Sequence, residues 1–173
     1  MCIRDRLKAI KAYLEAHPDI EWVWFDYSSM PQGDDRTPKE KAEFDLMLAA
    51  IADLYLTARV LILLDGSYAS RFWTLTEAWC SMQTVTPEGL RPATEAECRY
   101  TISCIHNATT ETTAKGLVDL VSIQTPEAMH DILRKPDVFV TNVKDKETML
   151  PKIREINRHV VDTFQKQVIL PEP

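Results

Sequence analysis

The chain has 173 residues, 45% of them apolar and 27% charged, which suits one globular domain with its own core. A net charge of −6 without any basic block argues against nucleic acid as a partner. No apolar run approaches the length of a membrane span, so no membrane partner is expected.

Four cysteines, Cys2, Cys80, Cys98 and Cys104, show neither CxxC nor Cys/His metal spacing. Reduced thiols in a cytoplasmic protein are the simplest reading, with no metal and no cofactor expected. The opening "MCIRD" can be encoded by ATGTGTATAAGAGAC, which looks like the transposase end sequence of sequencing-library adapters. The next two adapter bases, AG, permit only Ser or Arg, and position 6 is Arg6. Residues 1–6 are therefore expected to be adapter-derived, and residues 7–173 to form a single domain that lacks its upstream part. The alternative is a genuine start with an accidental match.

In chain order, "RLKAIKAYLEAHPD" places Leu7, Ile10, Tyr13 and Leu14 at helical spacing before Pro18. "IEWVWFDYSS" is rich in β-formers and predicts a strand over Ile20–Phe25. "MPQGDDRTPKE" reads as a loop, and Thr37-Pro38 with Glu40 as a helix start. One helix is expected through "KEKAEFDLMLAAIADLYLTA", then a buried strand in "RVLILL".

The next helix begins within "YASRFWTLTEAW". At about 100° per residue, Phe72, Leu75, Ala78, Trp79 and Met82 gather on one side, which can face a core. Ser70, Trp73 and Glu77 point the other way. Trp73 and Glu77 are one turn apart, an aromatic plate beside a carboxylate. That pair suits a wall for a polar, ring-containing ligand, or equally a surface patch. "TVTPEGLRP" then reads as a proline-rich break.

Further on, "RYTISCIH" predicts a strand, "AKGLVDLVS" and "PEAMHDILRK" short helices, and "DVFVT" a strand after Pro136. A last helix over about Glu147–Gln167 carries Met149, Ile153, Ile156, Val160 and Phe164 as a stripe. Helices alternating with short apolar strands favour an α/β fold, a parallel sheet with helices on both faces. Ligands in such folds sit beyond the carboxyl ends of the strands. There "DYSSMPQGDD", "DGSYAS" and "HNATTE" are expected to converge.

"YASRFWTLTEAW" resembles the Tyr-Ala-Ser-x-x-Trp-Cys-x-x-Glu-Leu type segment of TIR domains, and Trp73 to Glu77 fits their WxxxE pattern. Asp26, Met30 and Gly33 fall at the spacing of the Asp-x-x-x-Leu-x-x-Gly segment that opens the family's BB loop. "VWFDYSSMPQ" is also similar to the WIDxxCIxQ segment of the TIR-related fungal heterokaryon-incompatibility domains. The resemblance covers residues 20–84. Departures are Thr74 where the family has Cys, Ala78 where it has Leu, and a longer BB loop.

The resemblance implies a flavodoxin-like fold and, in catalytic members, cleavage of the nicotinamide–ribose bond of NAD in defence or cell-death signalling. Glu77 matches the catalytic glutamate. Trp73 would line the pocket, and Ser70 with the loop bearing Asp26 and Ser28 would shape its polar edge. NAD is then substrate rather than cofactor, and homotypic self-association is a further expectation. Two alternatives stand beside this reading: a non-catalytic interaction module, and an enzyme like the nucleoside deoxyribosyltransferases. The family's first strand lies between its second and third and has no counterpart here. Two outcomes are then open: the strands at Trp22–Phe25 and Val60–Leu64 pair directly, the one expected here together with poor solubility, or the gap persists and the chain aggregates.

Overall fold

The computed structural model describes residues 3–33, 35–108 and 111–169. Met1, Cys2, Asp34, Thr109 and Thr110, about which expectations were stated above, lie outside the described residues. The chain divides into two compact units, Met1–Leu54 and Tyr55–Pro173. Each has its own organisation.

In the first unit, α1 (Ile3–Ala16) and α3 (Pro38–Ala49) flank a short helical turn, α2 (Asp26–Ser29). The start of α3 follows from its sequence. Thr37 accepts the Glu40 N–H at 3.3 Å, and the Glu40 carboxylate takes the Thr37 N–H at 2.8 Å, with Pro38 opening the first turn. The Thr37 hydroxyl also donates to that carboxylate at 2.7 Å, and this bond first, with the backbone one second, holds the Glu40 carboxyl below its usual range. Helix α3 stops at Ala50, where the backbone leaves helical geometry (ψ 2°), and α4 (Ile51–Thr57) follows. The single helix expected across this stretch is therefore two.

The strand expected over Ile20–Phe25 does not form. These residues are without regular structure, and Trp22, Val23 and Phe25 are exposed, Trp22 at 89%. A β-forming composition needs a ladder partner to become a strand, and among the described residues no ladder includes this segment. With no strand formed here, the expected direct pairing with Val60–Leu64 is not made among the described residues. Instead the chain turns into α2, with Ser29 N–H on the Phe25 carbonyl (2.9 Å) and Met30 N–H on that of Asp26 (3.0 Å).

The second unit is a mixed α/β body. Its strand β1 (Val60–Leu64) lies parallel to β4 (Tyr100–Cys104), in a register that sets Ile62 opposite Ile102 and Leu64 opposite Cys104. Ile62 and Leu64 are buried, whereas Leu61 and Leu63 are half-covered. Arg99 fixes the entry to β4 by donating to the carbonyls of Tyr55, Ala58 and Gln83. Burial lowers the pKa of its guanidinium.

Between the two strands run α5 (Phe72–Ser81) and an antiparallel hairpin, β2 (Gln83–Thr86) and β3 (Gly89–Pro92). The hairpin stands where the sequence reads as a break. Gly89 has φ +120°, and a Cβ there would meet the Asn157 side chain at 3.0 Å, so glycine makes the turn. Helices α6 (Glu111–Val121), α7 (Pro126–Arg134) and α8 (Val143–Ile169) complete the unit. Helix α7 starts as its Thr-Pro signature predicts, with Thr125 accepting the Ala128 N–H at 3.2 Å. Along α8 the stripe Met149, Ile153, Ile156 and Val160 is buried, and Phe164 is half-buried.

The core of this unit gathers around α5. Phe72, Leu75, Ala78 and Trp79 are fully buried, Met82 nearly so, and Cys80 lies with them. The Trp79 indole N–H reaches the Gln124 carbonyl (2.9 Å), and Gln83 reaches that of Ser122 (2.9 Å). These two bonds tie the far end of α5 and the start of β2 to the chain leaving α6. The "DVFVT" segment is not a strand. Only Phe139 pairs, in an isolated parallel bridge with Arg71. Among the described residues no helix is long and apolar enough to cross a membrane.

Candidate functional site

The site is built at the carboxyl ends of β1 and β4. Leu64 ends β1, and Asp65 follows as a buried carboxylate. It accepts from the Ser67 N–H (2.9 Å), the Ser67 hydroxyl (2.8 Å) and the Arg71 guanidinium (3.2 and 3.3 Å). A buried carboxylate must be paired and hydrogen-bonded, and these four contacts come from its own loop. The loop is thereby folded back on itself into the 3₁₀ turn Tyr68–Ser70.

The loop after β4 meets it. His106 adopts the left-handed backbone, φ +54°, which turns the chain after Ile105. Asn107 then accepts the Gly66 N–H at 3.0 Å. A Cβ on Gly66 would stand 2.6 Å from the Asn107 amide nitrogen, so the close approach of this side chain depends on glycine unless Asn107 moves aside. Two of the three expected stretches, "DGSYAS" and the start of "HNATTE", do converge.

Two further contacts set where α5 begins. Phe139 N–H donates to the Ser70 carbonyl (2.7 Å), and Phe72 N–H donates to that of Phe139 (2.8 Å), bracketing Arg71. The Thr74 hydroxyl donates to the Tyr68 carbonyl at 2.6 Å, tying the 3₁₀ turn to the helix. Thr74 thus has a structural role at the position where the TIR pattern has cysteine.

Ser70, Trp73 and Glu77 emerge from this scaffold half-exposed, on the side of α5 away from Leu75, Ala78 and Trp79. The Ser70 hydroxyl donates to the Ser67 carbonyl (2.8 Å). The Trp73 and Phe72 rings meet edge to face, 5.4 Å between centroids, which holds the Trp73 ring against the helix start. Glu77 lies one turn beyond Trp73. Its negative charge reaches Tyr68, whose hydroxyl is pushed well above the usual phenol range, first by burial and next by Glu77.

Asp26 and Ser28, expected at the polar edge, belong to the first unit, on α2. Both are exposed. Asp26 accepts the Tyr27 N–H (2.7 Å), and the Ser28 hydroxyl donates to the Phe25 carbonyl (3.1 Å). These are local helix-end bonds.

Sequence reasoning missed Asp65, Tyr68, Arg71, Asn107 and Phe139. The run Asp-Gly-Ser after an apolar strand was the one available signal, since Asp and Ser there favour a side-chain-closed turn. Among the described residues no cluster of three or more His, Cys, Asp or Glu could hold a metal ion.

The class that these observations define is a mixed α/β protein with a polar site at the carboxyl end of a parallel strand pair. No protein-family model matches the chain, nor does any curated protein or solved structure.

Proposed function

We propose that the protein is a TIR-type NAD nucleosidase of flavodoxin-like ancestry, acting in the cytoplasm in a defence or cell-death response. One observation supports the reading: Glu77 and Trp73 stand together, half-exposed, on the side of α5 opposite the fully buried Leu75, Ala78 and Trp79. A helix needs its core side for stability, and on its other side this one sets a half-exposed tryptophan one turn from a half-exposed carboxylate, an aromatic and an anionic group within reach of one ligand. Their place on the helix leaving β1 is where α/β folds take ligands.

The chemistry matches a carboxylate at that position. The C1′–N1 bond between ribose and nicotinamide breaks, and its electron pair leaves with the neutral pyridine. Glu77 stabilises the oxocarbenium-like ribose that remains. A water oxygen then adds to C1′, and its proton passes to solvent, giving nicotinamide, ADP-ribose and H⁺. Trp73 offers a face to the nicotinamide ring, and the Ser70 edge is polar.

Incubating the full chain with NAD and following free nicotinamide tests this. The parent releases nicotinamide, and Glu77→Gln does not, while its thermal melt stays unchanged. Residual turnover of Glu77→Gln near the parent's would remove Glu77 from the chemistry.

One observation favours a second reading, a non-catalytic interaction module that self-associates. Trp22 and Tyr27 are 89% and 72% exposed, which is unusual for large aromatics without a binding role. Absence of nicotinamide release from a folded parent would favour that module. Release of purine from deoxynucleosides would instead favour the deoxyribosyltransferase-like enzyme.

A further inference from the structure

We propose that Phe139, with Arg71 beside it, forms the subsite for the purine-nucleotide half of the dinucleotide, the ring of Phe139 stacking on the base. The inference rests on the nucleosidase reading and extends it from the bond cleaved to the half of the substrate that is not cleaved.

Phe139 is a large apolar side chain left 66% exposed, and exposure alone would mean little. What distinguishes it is how firmly it is held. Its N–H and carbonyl bond to Ser70 and Phe72 at 2.7 and 2.8 Å. The neighbouring Val138 is buried, and the Val138 carbonyl takes the Lys146 ammonium at 2.8 Å. The same ammonium also donates to the Lys135 carbonyl, so the whole approach to Phe139 is braced. An exposed aromatic on a fixed backbone loses little entropy when a ring stacks on it.

The parallel bridge also fixes direction. Paired residues of a parallel ladder project to the same face, so Phe139 lies on the Arg71 side. Arg71 keeps 35% of its side chain exposed while its guanidinium is oriented by Asp65 and by the Tyr68 ring. A pre-oriented guanidinium suits a phosphate, and an aromatic face next to it suits a base. The arrangement is anchored to Ser70, at the start of the helix that carries Trp73 and Glu77.

The test measures AMP binding to the full chain by calorimetry, and turnover of NAD against nicotinamide mononucleotide, which lacks the adenylate half. Phe139→Ala is expected to weaken AMP about tenfold, the scale of one lost base stack. Phe139→Tyr restores it. The ratio of kcat/KM for NAD to that for the mononucleotide falls about tenfold in Phe139→Ala. A purely structural role would move both substrates together.

Failure of the parent to bind AMP, or equal binding by Phe139→Ala, overturns the subsite. If the parent binds AMP through Phe139 but releases no nicotinamide, the subsite stands and the nucleosidase reading falls.

Discussion

Trp79→Ala is the substitution on which the account of α5 can be judged most directly. The side chain is fully buried, and its indole N–H donates to the Gln124 carbonyl at 2.9 Å. A tryptophan buries roughly 150–250 Å², which at about 25 cal/mol per Å² sets an upper bound of about 4–6 kcal/mol. Alanine retains part of that burial but leaves a cavity and strands the Gln124 carbonyl. The expected loss is about 3–5 kcal/mol. Trp79→Phe separates the contributions, since it keeps most of the ring volume and removes only the donor, at about 1–3 kcal/mol. Trp73→Ala should cost clearly less, because Trp73 is half-exposed where Trp79 is fully buried. Urea unfolding followed by far-ultraviolet circular dichroism gives all three values. A loss for Trp73→Ala equal to or above that for Trp79→Ala would show the two sides of the helix to be reversed, and the candidate site would go with them.

Other consequences are open to simpler measurements. Gly66→Ala should destabilise because its methyl meets the Asn107 amide, and Asn107→Ala should relieve much of that. A double-mutant cycle that shows simple additivity would dismiss the contact. Thr125→Ala should cost about 1 kcal/mol in a thermal or urea melt through the lost cap of α7. The Glu97 carboxyl is held well below the usual glutamate range, by the Arg91 side chain first and by the Thr94 backbone and hydroxyl next. A depressed folded pKa gives stability that is present above the unfolded value and lost as pH falls through the folded one. The contribution should therefore persist through mild acid and disappear only in strong acid. Carbon NMR titration of Glu97 should show this, with Arg91→Ala moving the midpoint back up.

What the sequence could tell depended on how local each cause was. The two sides of α5 were legible from Phe72, Leu75 and Trp79 because helical periodicity is set within a few turns. The starts of α3 and α7 were legible because Thr37 and Thr125 cap within their own first turn. Ile20–Phe25 misled because β-forming side chains state a preference without naming a partner. The turn at Pro87–Gly89 was detected as a break, but a hairpin and a break share the same signal. Glu77, Trp73 and Ser70 came from the helix pattern and the TIR likeness. Asp65 and Arg71 sit in the same short loop, yet their pairing needs the loop's three-dimensional path. Asn107 and Phe139 depend on segments distant in the chain, which no local pattern encodes.

The bridge at Phe139 closes one of the longer loops of the second unit. Strand β1, α5, the hairpin and β4 follow one another, and their contacts close comparatively short loops. The chain near Phe139 arrives only after α6 and α7, so its docking closes a longer one. Until it docks, the Phe72 amide has no acceptor from that segment, and the first turn of α5 is free to fray. Hydrogen exchange at the Phe72 amide therefore reports how firmly the Phe139 segment is docked, and with it how firmly the start of the helix that carries Trp73 and Glu77 is held.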